Sequence, residues 1–344
     1  MRDQKVRPEM NVALTYNLKK EDATKPEDYF SECDSAKTID AIAAALGRRG
    51  HTVHSVDADQ PALVSYFTKN RVDMVFNIAE GHRSRFRESE VPALLECLDI
   101  PYTGSNAFAL ALALNKAMTK RILRAENIPT PAFQVFETGD EALDPQLRFP
   151  LIVKPNLEGS AKGIRRENFI TGPQELRSRV KELIRLYRQE VLVEEFIEGK
   201  ELTVGILENG KATVLPVLEI DFSTARDSGE FFYSWRMKEF QGDRAQGLTP
   251  TFYCPARLDS STERLVKDTA LRTHRAIGCY DISRTDIRLD AHNVPYVLEI
   301  NPLPGLDPKE SNFPKMAYAA GMQYDDLIES VLLSAFQRRK INHG

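Results

Sequence analysis

Three features of the sequence predict an α/β protein with more than one domain. Apolar runs of strand length alternate with amphipathic helical segments, and glycine or proline marks most of the changes between them. The third is length: 344 residues exceed the roughly 100–200 that one hydrophobic core usually serves. Two or three domains are expected.

The first strand, NVALTY, leads through a polar loop into SAKTIDAIAAALGRRG, where Ile39, Ile42, Ala43 and Leu46 recur at helical spacing and Gly50 supplies the stop. HTVHSVD and RVDMVFNIAEG are the next strands, with SEVPALLECL a helix between the latter and IPYTGS. This alternation is that of a parallel sheet with crossover helices, and it defines a domain over residues 1–105. AFALALALNKAMTKRILRAENI reads as one long helix ended by Pro129. PLIVKPN is then a strand, followed by a glycine-bearing loop, a short strand, a charged helix and the strand VLVEEFI, a second unit over 106–194. The remainder, 195–344, alternates hairpin strands with the helices STERLVKDTALRTHRAIG and DDLIESVLLSAFQRR. Its turns are expected at Glu208-Asn209-Gly210 and at Asp290-Ala291-His292-Asn293, and no internal repeat or low-complexity linker interrupts it.

Composition narrows the function. With 42% hydrophobic and 28% charged residues the chain is an ordinary globular one. A formal net charge of -4, with Lys and Arg dispersed, offers no broad basic surface for a nucleic-acid backbone. The first twenty residues hold too short an apolar stretch for a signal peptide, and no run approaches the ~20 apolar residues of a membrane span, so a cytoplasmic location is expected. Cys33, Cys97, Cys254 and Cys279 lie far apart, without CxxC or zinc spacing, and read as buried reduced thiols, with Cys97 at a core position of its helix.

Two segments carry chemistry. In Lys154-Pro-Asn-Leu-Glu-Gly159-Ser160-Ala-Lys-Gly163 a lysine emerges at a strand end, and glycines permit close backbone approach to an anion. The loop is neither a P-loop nor a dinucleotide fingerprint, and a plain glycine turn beside a solvated lysine is the alternative. In SRTDIRLDAHNVPYVLEINPLPG, alternation places Arg284, Asp286 and Arg288 on one face of a strand, and Glu299 and Asn301 on one face of the next. Two acids and an amide beside an arginine suit a nucleotide-bound Mg²⁺, which takes few protein oxygens and leaves the rest to water and phosphate. The alternative is a solvated, salt-bridged hairpin face, though Glu299 inside an apolar run needs a partner.

Together these segments resemble the ATP-grasp carboxylate–amine ligases, and within them the D-alanine–D-alanine ligase branch. IPYTGS, a helix bearing Asn115-Lys116 and Lys120, PLIVKPNLEGSAKGI, VLVEEFIEGKELTV, TFYCPA, RTDIRL and VLEINPLPG occur in the family's order and spacing. The resemblance implies an ATP-grasp fold behind an N-terminal Rossmann-like, pre-ATP-grasp domain. It implies ATP between the second and third units, with Lys116, Lys154 and Lys238 on phosphates and the Gly159 to Gly163 loop closing over them. It implies Glu194, Phe196 and Ile197 at adenine, Glu201 at the ribose, and Mg²⁺, with Mn²⁺ as the alternative, on Asp286, Glu299 and Asn301. Arg284 would stabilise the acyl-phosphate and the oxyanion. The activity implied is transfer of the γ-phosphoryl group to a carboxylate, then attack by an amine. Amino-acid or peptide substrates and a homodimer go with it.

Departures from the family fall on the amino-acid side. The branch typically opens with a glycine pair and a glutamate that orients the first amino acid; here YNLKKEDATKPEDYFSECDSAKTID offers Glu32, or else that residue is a cap or solvated acid. The usual HGxxGEDG loop is replaced by AEGHRSRFRESEVP, which keeps Gly81 and an acid near Glu88. Its Arg83, Arg85 and Arg87 face an acidic substrate group or form a solvated charge run. Ser160 matches the family's catalytic serine, while Glu239 stands in place of its partner tyrosine. Beyond Gly305 the stretch LDPKESNFP is one residue longer, and Ser311 is the nearest match for the serine that meets the substrate carboxylate. The sequence thus points to an ADP-forming ligase, either close to D-alanine ligation or using the same chemistry on another amino acid or an acidic or peptide acceptor. An ATP-binding module without turnover and a kinase that stops at the acyl-phosphate are the other classes.

Overall fold

A computed structural model describes residues 8–58, 63–81, 84–208 and 211–342. Its first sheet is parallel. Strand β1 (Asn11–Tyr16) leads to helix α1 (Ala36–Arg48), whose N-terminus is capped by the Ser35 hydroxyl accepting from Thr38 N–H and whose Ile39, Ile42 and Leu46 are buried. Strand β2 (Thr52–Asp57), helix α2 (Leu63–Lys69), strand β3 (Met74–Asn77) and helix α3 (Glu90–Cys97) follow, with sheet order β2-β1-β3. The parallel register expected from the alternation is what forms. Helix α2 was not foreseen. The thiol reading needs correction: Cys97, the last residue of α3, is exposed, Cys33 and Cys254 are half-buried, and only Cys279 is buried.

The long helix expected after IPYTGS is two helices, α4 (Ala107–Leu114) and α5 (Lys116–Ala125). Asn115 breaks it. Its backbone is extended and its side chain accepts from Met118 N–H at 3.0 Å, so it caps the second helix. Asn156 completes the break, its backbone oxygen accepting from Lys116 N–H and its side-chain oxygen from Ala117 N–H. Lys116 is thereby fixed at a helix start.

Next come β4 (Phe133–Phe136), β5 (Leu151–Pro155), β6 (Phe169–Ile170), α6 (Pro173–Tyr187) and β7 (Val191–Glu195). These strands form an antiparallel sheet in the order β4-β7-β5-β6, with Leu176, Val180 and Leu183 of α6 packed on its core. The third sheet is larger. Strands β8 (Lys200–Glu208), β9 (Ala212–Val214) and β10 (Leu218–Asp221) precede a short helix, α7 (Trp235–Glu239), then β11 (Thr251–Tyr253), α8 (Ser260–Ile277), β12 (Ile282–Leu289) and β13 (Pro295–Asn301). Its order is β11-β10-β8-β12-β13, with β9 also on β8. Strands β8 and β9 pair antiparallel around the first expected turn, of which Asn209 and Gly210 lie outside the described residues. The second turn joins β12 to β13 as expected.

Helices α9 (Asn312–Ala319) and α10 (Tyr324–Asn342) close the chain. Leu327, Ile328, Val331 and Leu332 of α10 share one core with Val12, Ile42 and Leu46, so the C-terminal helix packs on the first unit. Arg48 donates to Asp325 through two nitrogens, at 2.8 and 2.7 Å, at that junction. None of the described helices is long and apolar enough to cross a membrane.

Candidate active site

The three sheets meet around one large cavity of about 390 Å³. Strands β12 and β13 form its floor. Their register sets Asp286 opposite Glu299 and Arg284 opposite Asn301, with an irregularity just after Asp286. All four line the cavity. Arg284 donates to both oxygens of Asp286, at 3.0 and 2.8 Å, and Thr203 donates to one of them at 2.6 Å. Burial works to raise the Glu299 carboxyl, but Lys116 at 3.0 Å and the field of Lys154 override it and bring it down to about 2. This floor therefore holds two carboxyl groups and an amide oxygen side by side, the donor chemistry that Mg²⁺ selects.

The glycine loop forms the roof. Ser160 and Ala161 adopt φ of +50° and +56°, and Gly163 +74°. Gly159 N–H donates to Glu32 at 2.6 Å, and a Cβ on Gly159 would stand 2.7 Å from that oxygen, so only glycine fits. Gly163 N–H donates to Asp28, away from the cavity. Lys238 reaches Ser160 Oγ at 3.0 Å from helix α7, which Ser234 caps. Burial and the neighbouring Arg284 depress the Lys238 ammonium, a strain that an anion in the cavity would relieve.

Three residues expected at the adenine are not brought to the cavity wall. Glu194 is buried with its two oxygens on Lys154 at 2.5 Å and Lys120 at 2.7 Å, so it orients a phosphate-side lysine and presents no free acceptor. Phe196 packs edge-on against Phe169 and Phe231, and the Ile197 carbonyl accepts from Arg288 at 2.9 Å. Glu201 does line the cavity, with one oxygen held by Arg288 at 2.9 Å.

The amino-acid end differs most from expectation. Glu32 lines the cavity, but its carboxylate is already engaged by Arg87 at 3.0 and 2.5 Å and lies 3.7 Å from Lys162. Burial raises its pKa, and Arg87 and Lys162 more than reverse that, leaving it ionised. The basic loop divides: Arg87 is buried on Glu32, Arg85 stays more than half exposed and pairs with Glu190, and neither lines the cavity. Arg83 lies outside the described residues. Glu239 lines the cavity and pairs with Lys19 at 2.5 Å. Gly305 and Ser311 meet there too, since a Cβ on Gly305 would lie 2.8 Å from Ser311 Oγ, which accepts from Asp307 N–H.

The sequence reading missed Lys19, Asp34, Glu80, Tyr233 and Asp307, all of which line this cavity. Glu80 carried a signal, as an acid directly after the apolar strand MVFNIA at the C-terminal edge of a parallel sheet, where ligand sites concentrate. Asp34 had none. Cys33 also lines the wall, but burial and the nearby acid Glu80 push its thiol up to about 12, which leaves it inert.

Comparison with known proteins gives this geometry a context. The profile of the family described as D-ala D-ala ligase C-terminus matches residues 122–333. A D-alanine–D-alanine ligase of Carboxydothermus hydrogenoformans is 34% identical over 315 residues, covering 89% of this chain and 95% of that protein. The uncharacterized protein y4sG of Sinorhizobium fredii is 34% identical over 309 residues, 88% of each chain. Among solved structures, the D-alanine–D-alanine ligase of Bacillus anthracis complexed with ATP superposes with a TM-score of 0.74 at 24% identity, covering 97% of this chain and 99% of that one, which establishes the shared fold.

Proposed function

Because the chain belongs to the D-alanine–D-alanine ligase family and is an ATP-dependent carboxylate–amine ligase with the ATP-grasp fold, we propose that it couples amino acids or small peptides through an acyl-phosphate. One observation carries the reading: Asp286, Glu299 and Asn301 share a floor with Arg284, beneath Lys154, Lys238 and the Gly159 to Gly163 loop, around a single cavity. Asp286, Glu299 and Asn301 would hold Mg²⁺ or Mn²⁺, whose positive charge would neutralise the phosphates of ATP.

The chain's own residues account for the rest. Lys116 and Lys154 are buried cations, Lys116 paired with Glu299 of the floor and Lys154, which lines the cavity, with the buried Glu194; ATP phosphates would take over their charge. Arg284 spans the floor and supplies donors for the negative charge that gathers on the acyl group. Ser160, on a left-handed backbone and bonded to Lys238, presents its hydroxyl toward the amino-acid end. The Gly305 to Ser311 turn receives the substrate carboxylate. Most of the acceleration comes from positioning and charge neutralisation. The proposal includes a cytoplasmic, homodimeric enzyme.

Incubating the protein with Mg-ATP and a panel of amino acids tests it. Phosphate release that requires both a carboxylate and an amine is expected, with the coupled product seen by mass spectrometry. Release of ADP without any amine would mark a kinase instead, and no dependence on a carboxylate would remove the ligase reading.

A further inference from the structure

The wall of the cavity nearest the N-terminal sheet is acidic beyond what the ligase chemistry needs. The carboxylates of Glu32, Glu80 and Glu88 approach within 4.8 Å of one another. Glu32 is neutralised by Arg87 and Lys162. Glu88, only 8% exposed, and Glu80 both line the cavity, and among the described residues neither has a side-chain hydrogen bond or ion pair. Asp34 is the same, and with Glu80 it lines a small recess that continues beneath Leu303, Pro304 and Leu306.

Cations of the site are committed elsewhere. Lys19 pairs with Glu239, Lys116 with Glu299, and Lys238 donates to Ser160. The three acids consequently repel one another. Burial, together with Glu32, Glu88 and Asp34, pushes the Glu80 carboxyl well up. Burial raises Glu88 to about 7, only partly countered by Arg87, and burial with Asp307 raises Asp34 to about 7. A cavity wall whose carboxyls are only partly balanced, Glu80 by the field of Lys238 and Glu88 by those of Arg87 and Lys116, is costly to fold and matches a ligand that brings further positive charge with it.

A single α-ammonium has donors enough for three oxygens but brings only one positive charge to these three acids, so the wall keeps an excess of negative charge. We propose that Asp34, Glu80 and Glu88 bind a substrate carrying two ammonium groups, a diamine or diamino acid, in place of an amino acid with an uncharged side chain. This rests on the ligase reading and specifies its substrate class.

The test uses the full chain with Mg-ATP and matched pairs: lysine against norleucine, ornithine against norvaline, and 1,4-diaminobutane against butylamine, with D-alanine as co-substrate and both enantiomers where they exist. Each compound with two ammonium groups is expected to show kcat/KM at least about tenfold above its partner lacking the second one, as one added charge pair would give. Glu80→Gln and Glu88→Gln should each shrink that ratio, and Asp34→Asn serves as a third variant should either fail to fold. Equal use of the partners lacking the second ammonium, or a ratio untouched by all three substitutions, overturns the proposal.

Calorimetric titration with lysine and 1,4-diaminobutane, in the presence of Mg²⁺ and a non-hydrolysable ATP analogue, separates the two readings. Selective binding of the dications in this titration, with no phosphate release in the Mg-ATP assay on any compound, removes the ligase reading and keeps the acidic site. Phosphate release with neutral amino acids alone keeps the ligase and removes the site. Binding of a divalent cation at Glu80 and Glu88 that excludes the diamines also removes it.

Discussion

Replacing Arg87 by Met removes a cation from one of the most enclosed places in the protein. Arg87 and Glu32 expose 5% and 2% of their side chains, and the guanidinium makes two bonds to Glu32, one to the Leu157 carbonyl at 2.9 Å and one to Glu158 at 3.2 Å. Stripping one partner from such a pair typically costs about 3–5 kcal/mol, because the other charge stays buried. The orphaned Leu157 carbonyl adds about 1–3 kcal/mol, since it has no solvent to turn to. Lys162 and the Gly159 N–H remain on Glu32 and offset part of this. The net expectation for Arg87→Met is about 3–5 kcal/mol, and pairing it with Glu32→Gln should recover more than half.

Guanidinium unfolding followed by fluorescence reads the change. The single tryptophan, Trp235, donates to Ser31 beside Glu32, so its emission follows this junction. The pH dependence has a definite sign. The folded pKa of Glu32 is lowered, so the pair's contribution is full above the ordinary carboxylate range and is lost as pH falls through the folded value. The gap between wild type and Arg87→Met should therefore close in acid. A loss below about 1 kcal/mol at pH 7.5, the range of a surface pair, would refute the assignment of Arg87 as a buried counter-ion.

Other residues give further outcomes. Lys116→Met is expected to lower kcat by about 10²-fold, the usual consequence of losing one charge-stabilising group, while the Glu299 carboxyl, now unopposed in its burial, titrates at higher pH by difference infrared spectroscopy. Glu299→Gln should abolish turnover and weaken the dependence of nucleotide binding on Mg²⁺, as read by calorimetry. Gly305→Ala, whose Cβ would press on Ser311 Oγ, should raise KM for the amino acid and leave KM for ATP unchanged in steady-state assays. Asp34→Asn should remove a stability term that is present at low pH and lost as pH rises from the ordinary aspartate range through about 7, so denaturation midpoints at pH 8 should rise relative to those at pH 5.

Much of the floor of this site was legible because strand periodicity is local. Asp286 lies two residues from Arg284, as does Glu299 from Asn301, so alternation alone predicts their faces, and a short turn forces the two strands to pair. The roof was legible in outline for the same reason, with lysine, glycine and serine within ten residues. What the sequence withheld are pairings across long separations. Nothing near Glu32 marks Arg87 as its partner, and nothing near Glu194 marks Lys120 and Lys154, because only the packed sheets bring them together. The break at Asn115 was hidden by strong helix formers on both sides; tertiary bonds from Asn156 outweighed propensity there. Cys97 misled by its apolar surroundings, since a helix packed along one side leaves its last residue free to face water.

Helix α7 touches the N-terminal loop through Trp235 to Ser31 at 2.7 Å and Glu239 to Lys19, while its Lys238 holds the glycine loop. The first two contacts join parts of the chain 204 and 220 residues apart, and the residues of all three line the cavity. The consequence is one of timing. Loosening Glu239 or Trp235 is expected to quicken product release while letting more of the activated acid be lost to hydrolysis, read as a higher kcat with phosphate release in excess of coupled product.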